Sequence, residues 1–172
     1  MNIKNCFARY AIIVCVGLAL LPFCACSDAN PPVQVQEAAA PAAPDFSLKD
    51  LSGQNFKLSN YKGKPVLLIF ITTWCPNCRS EIPHYKSIYK TYRKKGLEVA
   101  MIDIQESTGI VSHLASKQQI PFRILLDLKG EVASVYGIVG VPAMILIDKD
   151  GKILSRNYMS IDPLLETLFP KK

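Results

Sequence analysis

Apolar and polar positions divide the chain into three regimes. Residues Ala11–Cys26 run apolar without a single charge. Asn30–Pro44 follows no helical or strand period and is dominated by proline and alanine. From Asp45 onward the pattern becomes that of an α/β domain. Phe46, Leu48 and Leu51, then Phe56 and Leu58, alternate imperfectly around Ser52-Gly53, which predicts a short N-terminal hairpin. Val66–Ile71 is six apolar residues in succession after Lys64-Pro65, the signature of a strand buried on both faces. Ile82, Tyr85, Ile88, Tyr89 and Tyr92 recur at three and four residues and predict a helix ending at Gly96, with a kink at Pro83. Leu97–Ile104 reads as the next strand. Thr108–Gln119 reads as a second helix with Ile110, Val111, Leu114 and Ala115 inward. Phe122–Leu126 and Glu131–Tyr136 read as a short strand and a short helix. Ala143–Ile147 and Lys152–Tyr158 flank the turn Asp148-Lys149-Asp150-Gly151, and Ile161, Leu164, Leu165 and Leu168 line a last helix. Strands alternating with helices, then a hairpin and a helix, imply a mixed central sheet flanked by helices, with the N-terminal hairpin as an extension.

A length of 172 residues fits one domain. The net charge of +6 is modest and spread along the chain, and its densest run, Arg93-Lys94-Lys95, sits at a helix end where cations complement the dipole. No nucleic-acid partner is expected. The N-terminus changes the picture more. Lys4 and Arg9 without an acid, followed by the apolar run, form the n- and h-regions of an export signal. The run is short of the roughly 20 residues that span a bilayer, which favours cleavage over a permanent anchor. Its end, Ala25-Cys26, resembles a bacterial lipoprotein signal, in which a cysteine after a small residue is acylated. Residues 1–26 are therefore assigned to the signal, 27–44 to a linker and 45–172 to the domain. The linker reaches at most about 45 Å as polyproline. The expected location is extracytoplasmic, on the periplasmic side, with the membrane held through a lipid on Cys26 or through the signal itself.

Four of the six cysteines lie in the first 26 residues, so Cys75 and Cys78 stand alone in the domain. They belong to Trp74-Cys75-Pro76-Asn77-Cys78, directly after the buried strand and at the start of a helix. Pro76 suits the first helical position. Cys75 then meets free N–H groups and the positive end of the dipole, which favour a thiolate. Cys78, one turn on, shares its face. This arrangement suits a reversible disulfide in which Cys75 attacks and Cys78 resolves. A structural disulfide across so short a loop removes little chain entropy. A zinc site needs two more ligands, and His84 and His113 form no ligand-spaced pair. No metal is expected, and no cofactor beyond the Cys75–Cys78 disulfide itself.

With these pieces in order, the domain resembles the TlpA/ResA-like branch of the thioredoxin superfamily over roughly residues 44–172. The resemblance rests on Phe46-Ser47-Leu48, Gly63-Lys64-Pro65-Val66, the run Thr73–Pro83, Ile120-Pro121-Phe122, Asp127, Tyr136-Gly137-Ile138, Gly140-Val141-Pro142, and Leu146-Ile147-Asp148 with Gly151-Lys152. It implies a thioredoxin fold and extracytoplasmic thiol–disulfide exchange on protein disulfides, with a membrane thiol as electron donor. Many such relatives reduce disulfides, apocytochromes c among their substrates. It also implies that Pro142 is a cis-proline facing the cysteines, with Val141 backbone groups available to a substrate chain. Glu81 corresponds to an acid that follows the pair, a carboxylate able to relay a proton. Trp74 is expected to pack beside the pair and shape access, a core aromatic being the alternative. Two features depart from relatives. Ile69 stands where cytoplasmic thioredoxins carry a buried aspartate, and Pro76-Asn77 replaces the dipeptides common in reductases. A disulfide oxidant or isomerase therefore remains an alternative to a reductase. A copper chaperone is a third reading, disfavoured by the CxxC spacing and by the lack of a histidine beyond His113. A peroxidase is disfavoured because the peroxiredoxin pattern places threonine and proline before a lone cysteine.

Overall fold

The six residues Val66–Ile71 form the central strand, and all six are buried. A run of this kind requires cover on both faces. The computed structural model describes residues 40–157 and 160–170. Its strands are β1 (Ser47–Asp50), β2 (Asn55–Lys57), β3 (Val66–Ile71), β4 (Glu98–Ile104), β5 (Arg123–Asp127), β6 (Ala143–Ile147) and β7 (Ile153–Asn157). Its helices are α1 (Pro76–Tyr92), α2 (Thr108–Gln118), α3 (Glu131–Val135) and α4 (Asp162–Leu168). Short 3-10 turns occupy Leu58–Tyr61 and Arg93–Lys95.

One mixed sheet runs in the order β2-β1-β5-β4-β3-β6-β7. Strands β3, β4 and β5 are mutually parallel, and every other pairing is antiparallel. Period-two alternation sends Leu67, Ile69, Ile71, Val99 and Met101 to one face, where they pack with residues of α1, α2 and α4. Val66, Leu68, Phe70, Ala100 and Ile102 point the other way, to Val132, Ala133 and Tyr136 and to Phe56 and Leu58 of the N-terminal part. The crossover from β3 through α1 to β4 puts the start of α1 at the carboxyl end of the parallel strands. In open α/β sheets that end is where sites are built.

The elements follow the sequence pattern closely, with some differences. Ile110 is 54% exposed, whereas Val111 and Leu114 are buried. At about 100° per residue, Ile110 falls off the narrow stripe that Val111 and Leu114 present to the sheet, so its expected inward placement is corrected. Pro83 lies inside α1, which is continuous from Pro76 to Tyr92. The helix ends in the 3-10 turn, and Gly96 closes it with a positive φ of 100°, a conformation that suits a residue without Cβ. Residues 41–43, assigned by sequence to the linker, lie along the start of β7. The Ile153 N–H donates to Pro41 O and the Ala43 N–H to Gly151 O, both at 2.8 Å. The Tyr136 hydroxyl donates to Pro44 O at 2.7 Å. The expected signal, Cys26 and the rest of the linker lie outside the described residues. Among the described residues no helix is long and apolar enough to cross a membrane.

Candidate active site

Cys75 is the N-cap of α1, with φ −72° and ψ 116°, and Pro76 follows at the first helical position. Pro76 has no N–H to offer, and the amide that reaches the sulfur is that of Cys78, the third residue of the first turn. The Cys78 N–H donates to Cys75 Sγ at 3.2 Å. The backbone thus places a donor on the sulfur where negative charge would develop. Both cysteines are free thiols. Cys75 is 6% exposed and Cys78 is 0% exposed, so only Cys75 has an opening to the surface. Asn77 and Ser80 continue the first turn, with the Ser80 hydroxyl bonded to Asn77 O at 2.9 Å.

The segment before β6 closes over this sulfur. The Val141–Pro142 peptide is cis. Val141 O accepts from the Cys75 thiol at 3.7 Å, although 66 residues separate them in the chain. Trp74 is 69% exposed, which excludes the core-aromatic alternative. With the exposed Val139 it leaves apolar surface on both chain segments that meet at Cys75.

Electrostatics separate the two thiols. Burial pushes the Cys78 thiol up to about 12, with the hydrogen bond to Cys75 and the negative charge there adding to it, while a Thr72 backbone contact pulls the other way. Burial also pushes the Tyr85 hydroxyl above its ordinary range, reinforced by the negative charges of Glu81, Cys78 and Cys75. Glu81 is half-buried. Cys78, Glu81 and Tyr85 therefore share one side of α1, as their spacing of three and four residues requires.

Two acids that sequence reading did not single out complete the surroundings. Both oxygens of Glu106 hold Thr73: Oε2 accepts the Thr73 N–H, and Oε1 accepts its hydroxyl at 2.6 Å. Asp103, on β4, is 1% exposed, and neither carboxyl oxygen has a hydrogen-bond partner among the described residues. Burial, and then the negative charge of Glu106, push Asp103 up to about 8. The available signal was an acid flanked by apolar residues in the inner part of the strand run, residues 99–104, since a buried carboxyl needs a reason. Of the two histidines, His84 pairs with Asp162 of α4 at 3.0 Å, and His113 is exposed on α2. Among the described residues no group of three or more His, Cys, Asp or Glu is placed to hold a metal ion.

Residues 40–156 match the AhpC/TSA family. The chain is 37% identical over 112 residues to the thiol-disulfide oxidoreductase ResA of Bacillus thuringiensis subsp. konkukian, covering 65% of each. It is 37% identical over 116 residues to the protein of that name from Geobacillus thermodenitrificans, covering 67% of each. The chain thus spans about two thirds of the length of these relatives. Among solved structures it is similar to a thiol:disulfide interchange protein from a Bacteroides species, with a TM-score of 0.67 and 29% identity. That likeness covers 76% of this chain and 88% of the other.

Proposed function

Because the chain belongs to the AhpC/TSA family of thioredoxin-like proteins, we propose that it is an extracytoplasmic thiol–disulfide oxidoreductase, working through Cys75 and Cys78 and favouring reduction of protein disulfides. One observation carries this reading. A free cysteine caps a helix, receives the amide of a second free cysteine on its sulfur, and lies beside the carbonyl that precedes a cis-proline. The TlpA/ResA-like resemblance and the relatives' names are consistent with it.

The reaction follows from the geometry. The Cys75 thiolate attacks one sulfur of a substrate disulfide. A new S–S bond forms, the substrate's bond breaks, and the departing substrate sulfur takes up a proton. Cys78 then gives up its proton and attacks Cys75 Sγ, releasing the second substrate sulfur as a thiol. The protein is left with a Cys75–Cys78 disulfide, having passed two electrons to the substrate. A thiol donor at the membrane restores the dithiol. No further cofactor is required. Val141 backbone groups before Pro142 would pair with the substrate chain, and Trp74 would contact it. Pro76 and Asn77 fix the turn between the sulfurs, and Glu81, on the Cys78 side of α1, would move the proton that Cys78 must lose.

Pro76-Asn77 favours a second reading, an oxidant or isomerase on the same site. The midpoint potential decides between them: near about −270 mV marks a reductant and near about −120 mV an oxidant. The exchange itself is tested with the purified dithiol protein and a disulfide-bonded peptide. Two protein thiols should disappear per peptide reduced, and Cys75→Ser should be inactive. Undiminished exchange in Cys75→Ser would refute the site.

Location belongs to the same proposal. The charged n-region, the apolar run and Ala25-Cys26 support a protein tethered by a lipid on Cys26 and acting on the periplasmic side. Mass spectrometry of the membrane-extracted protein should find an acylated N-terminal Cys26. A lipid-free start at Ser27 or later would contradict the tether.

A further inference from the structure

The two ends of the sheet differ in what they expose. β3 and β4 run parallel from Val66 and Glu98 to Ile71 and Ile104, and Cys75 follows the far end of β3. The near end gathers cations from three separate segments. Lys62 and Lys64 lie in the turn before β3, and the Gly63 N–H between them donates to Lys149 O at 2.8 Å. That bond joins this turn to the one between β6 and β7, which carries Lys149 and Lys152. Arg93, Lys94 and Lys95 follow α1, where the chain returns to the same end: the Leu97 N–H donates to Tyr92 O at 3.2 Å and the Glu98 N–H to Pro65 O at 2.9 Å. All of these basic residues are exposed.

Nearby acids offset them only in part. Asp148 is half-buried, and its Oδ1 accepts the Asp150 and Lys152 amides at 2.8 Å. Asp150 lies 3.9 Å from Lys149, and Glu98 is half-buried at the start of β4. Asp45 and Asp50, at the margins, are matched by Lys57 at 3.8 Å and Arg123 at 3.7 Å. Lys62, Lys94 and Lys152 have no ion-pair partner among the described residues. The run at Arg93–Lys95 complements the dipole of α1. Lys62, Lys64, Lys149 and Lys152 follow no α-helix, so the dipole does not account for them.

The chain also enters the domain at this end. Ala42 bridges to Lys152, and the Ala43 N–H donates to Gly151 O at 2.8 Å. Whatever precedes residue 40 therefore leads away from the basic end and not from Cys75.

We propose that the end of the domain opposite Cys75 is a docking surface for an anionic phospholipid bilayer, which turns the Cys75 end away from the membrane. The proposal rests on the membrane-side location proposed above. Lysines and arginines within a Debye length of an anionic surface are drawn to it, and a basic patch adds a second hold to a lipid tether. The six residues of β3, at about 3.3 Å each, then lift the site about 20 Å above the docked end. Disulfides of proteins in the compartment meet Cys75 there without obstruction by the bilayer.

The test is lysine labelling with a water-soluble acylating reagent, read by mass spectrometry, on the full chain extracted from membranes. The protein is placed on vesicles of phosphatidylcholine alone or mixed with phosphatidylglycerol. At about 0.05 M salt the anionic vesicles should slow labelling of Lys62, Lys94 and Lys149 at least about threefold, and at about 0.5 M salt the effect should shrink. Lys129, which follows β5 at the other end and is exposed, should label equally on both vesicles. In the variant Lys62→Gln, Lys64→Gln, Lys149→Gln, Lys152→Gln, Lys94 should lose its protection while peptide disulfide exchange is kept. Equal labelling on both vesicles, protection that extends to Lys129, or protection of Lys94 that survives in the variant would overturn the proposal. Flotation with the neutral vesicles reads the tether separately. A chain that leaves the neutral vesicles yet shows the protection on anionic ones would refute the lipid tether and uphold the docking surface.

Discussion

At the scale of single residues, the two thiols of one motif are made unlike by where the backbone puts them. Cys75 receives an amide and reaches the surface, while Cys78 is sealed and pushed up to about 12. The CxxC spacing and the helix start were legible because proline and cysteine mark a helix N-terminus by their own chemistry. Asp103 and Glu106 were not, because their meaning arises only when β4 is laid beside β3 and the turn after it reaches Thr73. The cost of burying Asp103 has a definite pH signature. Its ordinary value is 3.8, and in the fold it is raised to about 8. Below the first value both folded and unfolded chains hold the proton. Between the two only the folded chain does, so stability falls as pH rises, by at most about 1.4 kcal/mol per unit. Above the second both are ionised and the trend stops. Asp103→Asn should therefore stabilise the protein by on the order of 2 kcal/mol more at about pH 7 than at about pH 4.5. Urea unfolding at the two pH values measures this. An equal effect at both would mean that Asp103 is not neutral in the fold.

At the scale of elements, the β3–α1 unit was readable almost residue by residue. The unbroken apolar run can only be a central strand, and the spacing of Ile82, Tyr85 and Ile88 can only bury one side of a helix. Ile110 was misplaced because an apolar residue at a helix start satisfies the period without satisfying the packing. The docking of residues 41–43 was also hidden, since backbone hydrogen bonds to Gly151 and Ile153 leave no trace in side-chain pattern. The Tyr136 hydroxyl fastens that segment through Pro44 O. Its ring is packed against Phe46 and Phe70 and stays in Tyr136→Phe. That variant should lose about 0.5–1.5 kcal/mol and speed hydrogen exchange at the Ala43 and Ile153 amides. Unchanged exchange at both would show that the segment holds without the tyrosine.

At the scale of the whole molecule, the sheet order places Cys75, a cis-proline loop and the buried Asp103 at one end of the parallel strands, from segments far apart in sequence. The order of motifs revealed this meeting of α1 with the Val141–Pro142 loop only through resemblance, because no local pattern says that residues 66 apart will touch. The central claim is that Cys75 attacks and Cys78 resolves. Proximity makes resolution effectively unimolecular, so the mixed disulfide is short-lived in the intact protein. In Cys78→Ser the hydroxyl cannot displace the partner. Expressed in the cells that make the protein, this variant should accumulate adducts through Cys75 that vanish on adding a reductant, while Cys75→Ser should accumulate none. Adducts equal in the two variants, or absent from both, would contradict the account.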